Sequence, residues 1–230
     1  MRASVVFTLA GLLVVATGCT SASTDPAEQR AESVTSAPDA ALTLVADADP
    51  VASAVSASRA LFDRSTVAVV ARDGDDAGEL LGASTAVGLG VPLLVESAGG
   101  GVGDVLGAEL DRLGATTVLA VGEADPAPAS ATWSADQGRE VVAVPAEVAA
   151  VEAATGLDLS DAGPVPADGG PVAVAALNPE NPAALRPVDV GGPGSSSTAE
   201  DGSEDGTTVP AVDRGDPLTG TLVLASGSPE

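Results

Sequence analysis

The side chains able to do chemistry in this 230-residue chain are few and mostly acidic. There are 33 Asp and Glu, 9 basic residues that are all Arg, no His and one Cys, Cys19. Two groups of carboxylates stand just after short apolar runs: Asp47 with Asp49, and Asp73 with Asp75 and Asp76. If those runs are neighbouring parallel strands, the carboxylates share the C-terminal edge of a sheet. That edge is where open α/β sheets bind ligands, and clustered carboxylates there can take Ca²⁺ or Mg²⁺. A calcium loop of about 12 residues counted from Asp73 would end on Ser84, not on Glu, so this is not an EF-hand. Helix caps and solvated turns account for the same residues, and the sequence names no metal. Gly99, Gly100 and Gly101, with Gly103 beyond, lie between another apolar run and a helix. Their amides could hold an anion. The spacing is not G-x-G-x-x-G and carries no Lys-Ser/Thr pair, so a tight turn is the plainer reading.

Much chemistry is excluded by what is missing. Without His there is no imidazole base and no His-ligated metal. Without His or Lys, and with a single Cys, nucleophilic catalysis has little support, and no pair of carboxylates stands out for glycoside chemistry. No cofactor is implied and the chain reads as non-enzymatic. A formal charge of −24 argues against nucleic acid, whose phosphates need neutralising, and against bulk attraction to anionic lipids or wall polymers. One Cys allows no intrachain disulfide. Lys, Ile and Tyr, all encoded by AT-rich codons, are absent, so part of the acidity is a habit of a high-GC genome. Trp133, the only Trp, could stack on a sugar or pack a loop onto the core.

The elements that must position these groups begin with a targeting segment. Arg2 precedes an apolar run from Val5 to Ala16, too short for a spanning helix of about 20 residues. Gly18-Cys19 follows directly, and this arrangement resembles the bacterial lipobox. The resemblance implies cleavage before Cys19 and acylation of its thiol by chains such as palmitate. The expected location is the extracytoplasmic face of the cell membrane, held by that lipid, since two or three chains anchor firmly. Residues 1–18 then form the signal peptide, and 19–41, rich in Ser, Thr, Ala and acid, a flexible tether.

From residue 42 to 185 apolar runs alternate with helical patterns. Leu42–Ala46, Val67–Ala71, Val91–Val95, Thr117–Val121, Glu140–Val144 and Pro171–Ala176 read as strands. Helices follow Pro50, Asp76 and Gly103, the second with Asp76 as its cap and Gly90 as its stop; a short one covers Ala146–Thr155. The strands are continuous hydrophobic runs, the mark of a parallel sheet covered on both faces. The expected fold is α/β, three-layered, mostly parallel, with helices on both faces, Rossmann-like or flavodoxin-like. Residues 186–208 read as an acidic Gly/Ser linker. Residues 209–230, with the apolar run Thr219–Ala225, read either as a strand added to the sheet edge or, the reading favoured, as the start of a second unit in a chain that continues past Glu230.

Several pieces in order carry a family resemblance. A helix ends in Ser58-Arg59-Ala60-Leu61-Phe62; strand VAVVA follows; an acidic turn opens Asp76-Ala-Gly-Glu-Leu-Leu-Gly-Ala-Ser-Thr-Ala; then come GVPLLV, the helix ELDRLGA and the strand TVLAVG. Over roughly 80 residues this resembles the bacterial cell wall-binding repeat type 2 family, as a single divergent repeat. Where that family carries Asp-Arg-Tyr-Ala-Thr-Ala this chain has Asp49-Pro50-Val51-Ala52-Ser53-Ala54. The resemblance implies a non-enzymatic, lipid-anchored envelope protein with cell wall polymer and membrane as partners. The alternative is a lipid-tethered solute-binding or enzymatic domain using the strand C-terminal edge.

Overall fold

A computed structural model describes residues 30–40, 42–45, 47–98, 103–122, 138–188 and 208–218. Cys19 with the signal segment, Gly99–Gly101, Trp133, most of the acidic linker and Thr219–Ala225 lie outside the described residues.

The centre is a sheet of four parallel strands: β3 (Val67–Arg72), β4 (Leu93–Glu96), β5 (Thr117–Gly122) and β6 (Glu140–Pro145). Their order across the sheet is β4-β3-β5-β6. Val69 pairs with Leu93 on one side and Leu119 on the other, and Leu119 pairs with Val142. Alternate residues supply two cores. Val67, Val69, Leu119, Val121, Val142 and Val144 face α2 (Asp76–Leu89) and α4 (Val148–Thr155). Ala68, Val70, Leu94 and Val118 face α1 (Pro50–Leu61) and α3 (Gly103–Leu113), meeting Val55, Leu106, Leu110 and Leu113. The architecture is therefore the three-layer α/β fold, in the strand order of a flavodoxin-like sheet. Each fully buried Leu or Val stabilises it by about 1.5–3 kcal/mol relative to exposure.

The helix α2 is buried nearly all round, Leu81, Ser84, Thr85 and Ala86 included. One side lies on the sheet. The other is covered by β8 (Ala183–Pro187), which pairs in parallel with β7 (Ser160–Val165) as a separate small sheet. The Leu185 N–H donates to Ser84 Oγ at 2.9 Å, and the hydroxyl donates to Leu80 O at 3.0 Å. Small residues are needed where two layers press: a Cβ on Gly88 would come within 2.9 Å of Leu157 Cδ1.

Four local expectations are corrected. Leu42–Val45 is not a strand; Leu42 is 85% and Leu44 81% exposed. The first strand among the described residues is instead β1 (Ala31–Thr35), inside the stretch expected to be flexible. It pairs antiparallel with β2 (Phe62–Ser65) and parallel with β9 (Val212–Asp213). Its sequence Ala-Glu-Ser-Val-Thr hides the strand, because the inward residues Ala31 and Ser33 are small and not strongly apolar. Pro171–Ala176 is not a strand either; Gly170–Ala175 is the short helix α5, with Pro171 in its first turn. A six-residue apolar run is ambiguous by periodicity, and Pro in the opening turn with Ala beyond favours helix. Residues 208–218 do not stand apart from the first domain. Val209 is buried and its N–H reaches Ala154 O at 2.8 Å, while Arg214 reaches Pro179 O at 2.8 Å and also Gly88 O. The fourth correction concerns the cap of α2. It is Asp75, whose carboxylate accepts from the Gly78 N–H; Asp76 is the first helical residue.

Candidate functional site at the sheet switch point

The chain passes outward from β3 to β4, then back across β3 to β5. The C-terminal ends of β3 and β5 therefore flank the switch point, where a ligand crevice is expected. After Arg72 the backbone turns sharply. Asp73 N–H donates to Glu96 O at 2.8 Å and Asp75 N–H to Arg72 O at 3.1 Å. Gly74 takes φ +82°, a left-handed conformation that favours glycine. The Gly74 N–H donates to Glu79 Oε1 at 2.9 Å and the Gly78 N–H to Asp75 Oδ1 at 2.9 Å. The turn's own carboxylates thus accept from one amide before the helix and one in its first turn.

The Asp75 side chain also occupies the crevice. A Cβ built on Gly122, the last residue of β5, would lie 2.9 Å from Asp75 Oδ2. A Cβ on Gly78 would lie 2.9 Å from the Val121 carbonyl oxygen. Two glycines therefore bring the first turn of α2 hard against the end of β5, with the Asp75 carboxylate between them. Glu79 beside it has its carboxyl raised above the usual range. Burial is the main cause, opposed by the Gly74 N–H and reinforced by Asp73, Asp76 and Asp75.

The other expected edge residues serve their own turns. Asp49 caps α1 by accepting from the Ala52 N–H at 2.9 Å, and Asp47 accepts from Ser56 Oγ at 2.6 Å. Among the described residues no three acidic side chains gather where they could hold a metal ion. Gly99, Gly100 and Gly101 and the lipidation candidate Cys19 lie outside those residues.

The most heavily ligated carboxylate is one the sequence reading did not single out. Glu109 on α3 is fully buried. It accepts from Ser58 Oγ at 2.7 Å, Arg59 Nε at 2.8 Å and Arg112 at 2.7 Å. Burial would raise its carboxyl, but Arg112, Ser58 and Arg59 together hold it below the usual range. The signal was present: Glu109 lies three residues after Leu106 and beside Leu110, on the apolar face of α3, with Arg112 one turn on. Its oxygens are saturated, so it locks α1 to α3 and has no capacity left for a ligand.

Two open depressions lie elsewhere. One of about 690 Å³ is bounded by α5, β7 and β8, with Val172 and Leu177 over Asp168 and Asn178. The other, about 890 Å³, lies at the opposite end of the sheet among Arg30, Thr66, Thr116, Thr117 and Glu140. Among the described residues no helix is long and apolar enough to cross a membrane.

No protein-family model matches the chain, and no curated protein or solved structure is significantly similar to it.

Proposed function

We propose that this is a non-enzymatic, lipid-anchored envelope protein whose α/β domain is a contact module for cell wall polymer. The observation that carries the reading is the filled switch point. The Asp75 carboxylate, closed in by Gly78 and Gly122, takes the place where a flavodoxin-like sheet admits its ligand. A solute-binding or catalytic domain needs that crevice open and convergent polar groups in it. Here Asp75 and Glu79 accept from amides of their own turn.

An acidic domain meets an anionic polymer across like charge, and divalent cations relieve that repulsion. The test is co-sedimentation of Thr20–Glu230 with purified wall sacculi in Ca²⁺ and in chelator. Sedimentation with Ca²⁺ that falls away in chelator or at low ionic strength is the expected result. Protein left in the supernatant under both conditions overturns wall contact.

A further inference from the structure

We propose that Leu42–Val45 is a strap that closes on the outer edge of β4 as a fifth parallel strand, giving the order strap-β4-β3-β5-β6. In the structure the strap is open. Its four residues are exposed and form no ladder, and among the described residues β4 pairs only with β3.

The first ground is the open edge. The Val69 N–H donates to Pro92 O at 3.0 Å and the Asp73 N–H to Glu96 O at 2.8 Å. Alternate residues of a parallel strand bond to the same neighbour, so Pro92, Leu94 and Glu96 turn their backbone groups to β3. Leu93 and Val95 turn theirs outward, two N–H donors and two carbonyls beyond which no described strand lies. Both side chains are only half-buried. A bare edge of this kind is a template for another strand.

The second ground is the path of the chain. The Ser36 N–H donates to Leu61 O at 2.9 Å, at the last turn of α1. At the other end of the helix Asp47 accepts from Ser56 Oγ and Asp49 caps the first turn. α1 runs down to the start of β3, against the strands, so the chain from Ser36 to Asp47 runs up, as β4 does. α1 also packs mainly on β4. The helix is about 18 Å long, whereas the chain from Ser36 to Asp47 reaches up to about 36 Å. That slack lets the strap meet the sheet while both anchors stay in place.

The third ground is handedness. The crossover from β4 to β5 carries α3 on the face of Leu94 and Val118, and Val55 of α1 packs on that same face. A strand that feeds α1 and then β3 makes a crossover of the same hand only from the β4 side of β3. β4 fills the first place on that side, which leaves its outer edge. There Leu42 and Leu44 share one face and Thr43 and Val45 the other, and Leu93 and Val95 gain apolar neighbours. Closed, the strap withholds the β4 edge from other chains; open, it offers it.

The test is amide exchange at Leu93 and Val95 in the parent, in Thr43→Pro with Leu44→Pro, and in Leu42→Asp with Leu44→Asp. The proline pair removes a strap donor in either register, and the aspartate pair makes burial of the strap costly. Amides of Val69 and Leu119 in the inner strands report whether each variant stays folded; if the proline pair loosens them, the aspartate pair decides. The expected result is exchange at Leu93 and Val95 at least about tenfold slower in the parent than in the variants, at every protein concentration. Equal rates in parent and variants overturn the strap. Protection that appears only as protein concentration rises assigns the edge to a second copy and overturns closure within the chain.

Discussion

Glu109 and Ser58, 51 positions apart in the chain, share a 2.7 Å hydrogen bond in the buried seam between α3 and α1. The carboxylate is fully enclosed, whereas its arginine partners keep much of their surface in water. Removing the acid therefore strands no buried cation, and removing the hydroxyl strands one bond of a buried anion. Ser58→Ala is expected to cost about 1–3 kcal/mol. Glu109→Ala is expected to cost at least as much, because it also leaves space beside Leu106 and Leu110. Urea unfolding of both variants checks this, and a loss below about 0.5 kcal/mol for either would dissolve the lock.

Glu109 and Glu79 give opposite pH signatures. Glu109 is held below its usual range, so its contribution is present above the pKa of an unfolded glutamate and is lost as pH falls through the lower folded value. Glu79 is raised, so its folded form binds a proton more readily, and stability from this group is gained as pH falls. Glu79→Gln is expected to stabilise slightly at neutral pH, by less than about 1 kcal/mol given its partial exposure. Glu109→Gln is expected to destabilise most at neutral pH and to converge on the parent in acid. Denaturation midpoints measured from neutral to acidic pH distinguish the two slopes.

The close approach of Asp75 to β5 is testable by coupling. Gly122→Ala sets a methyl against Asp75 Oδ2 and is expected to cost about 1–3 kcal/mol. In an Asp75→Ala background, which loses the cap at about 1 kcal/mol, the same change is expected to cost little more. A double-mutant cycle from melting curves that comes out additive would remove Asp75 from the crevice.

Leu94 is fully buried on the face shared with Val55, Leu106 and Leu110. Leu94→Ala is expected to lose about 2–5 kcal/mol. Leu93, its neighbour on the opposite face, is only partly buried, so Leu93→Ala is expected to lose less. Equal losses, measured in denaturant, would contradict the two-faced sheet.

The sheet was legible because its strands are buried on both faces and leave no polar alternation to mislead: Val67–Ala71 and Thr117–Val121 stand where the apolar runs put them. Within the apolar runs Val67, Val69, Leu94, Leu119 and Val121 are buried, whereas Leu93 on the edge strand β4 is only partly so. β1 was not legible, because small and polar residues make a strand only once a partner covers them. Leu42–Val45 has the composition of a strand and lies exposed with no ladder, since composition does not report whether a partner is at hand. At the candidate site the positions of Asp73, Asp75 and Asp76 at the β3 end could be read from the chain. That Asp75 seals the crevice could not, because the seal depends on Gly78 and Gly122, which sequence spacing alone does not bring together. Glu109 was hidden by its own type: an acid on an apolar face counts as noise until the arginines that neutralise it are in place.

The pairing of β1 with β9 sets a timetable for the molecule. Thr35 Oγ1 donates to Asp216 O across 181 positions, and only Ala31–Val212 and Glu32–Asp213 pair in that ladder. A chain made from its N-terminus completes every strand of the central sheet before the residues that close β1 exist. The closing segment follows those strands in the chain and docks through a few bonds, at an entropic cost that grows only with the logarithm of the intervening length. It is therefore also the first part to let go. Amide protons of Ala31 and Val209 should exchange faster than those of Val69 and Leu119, making the C-terminal segment a latch that loosens while the sheet beneath stays shut.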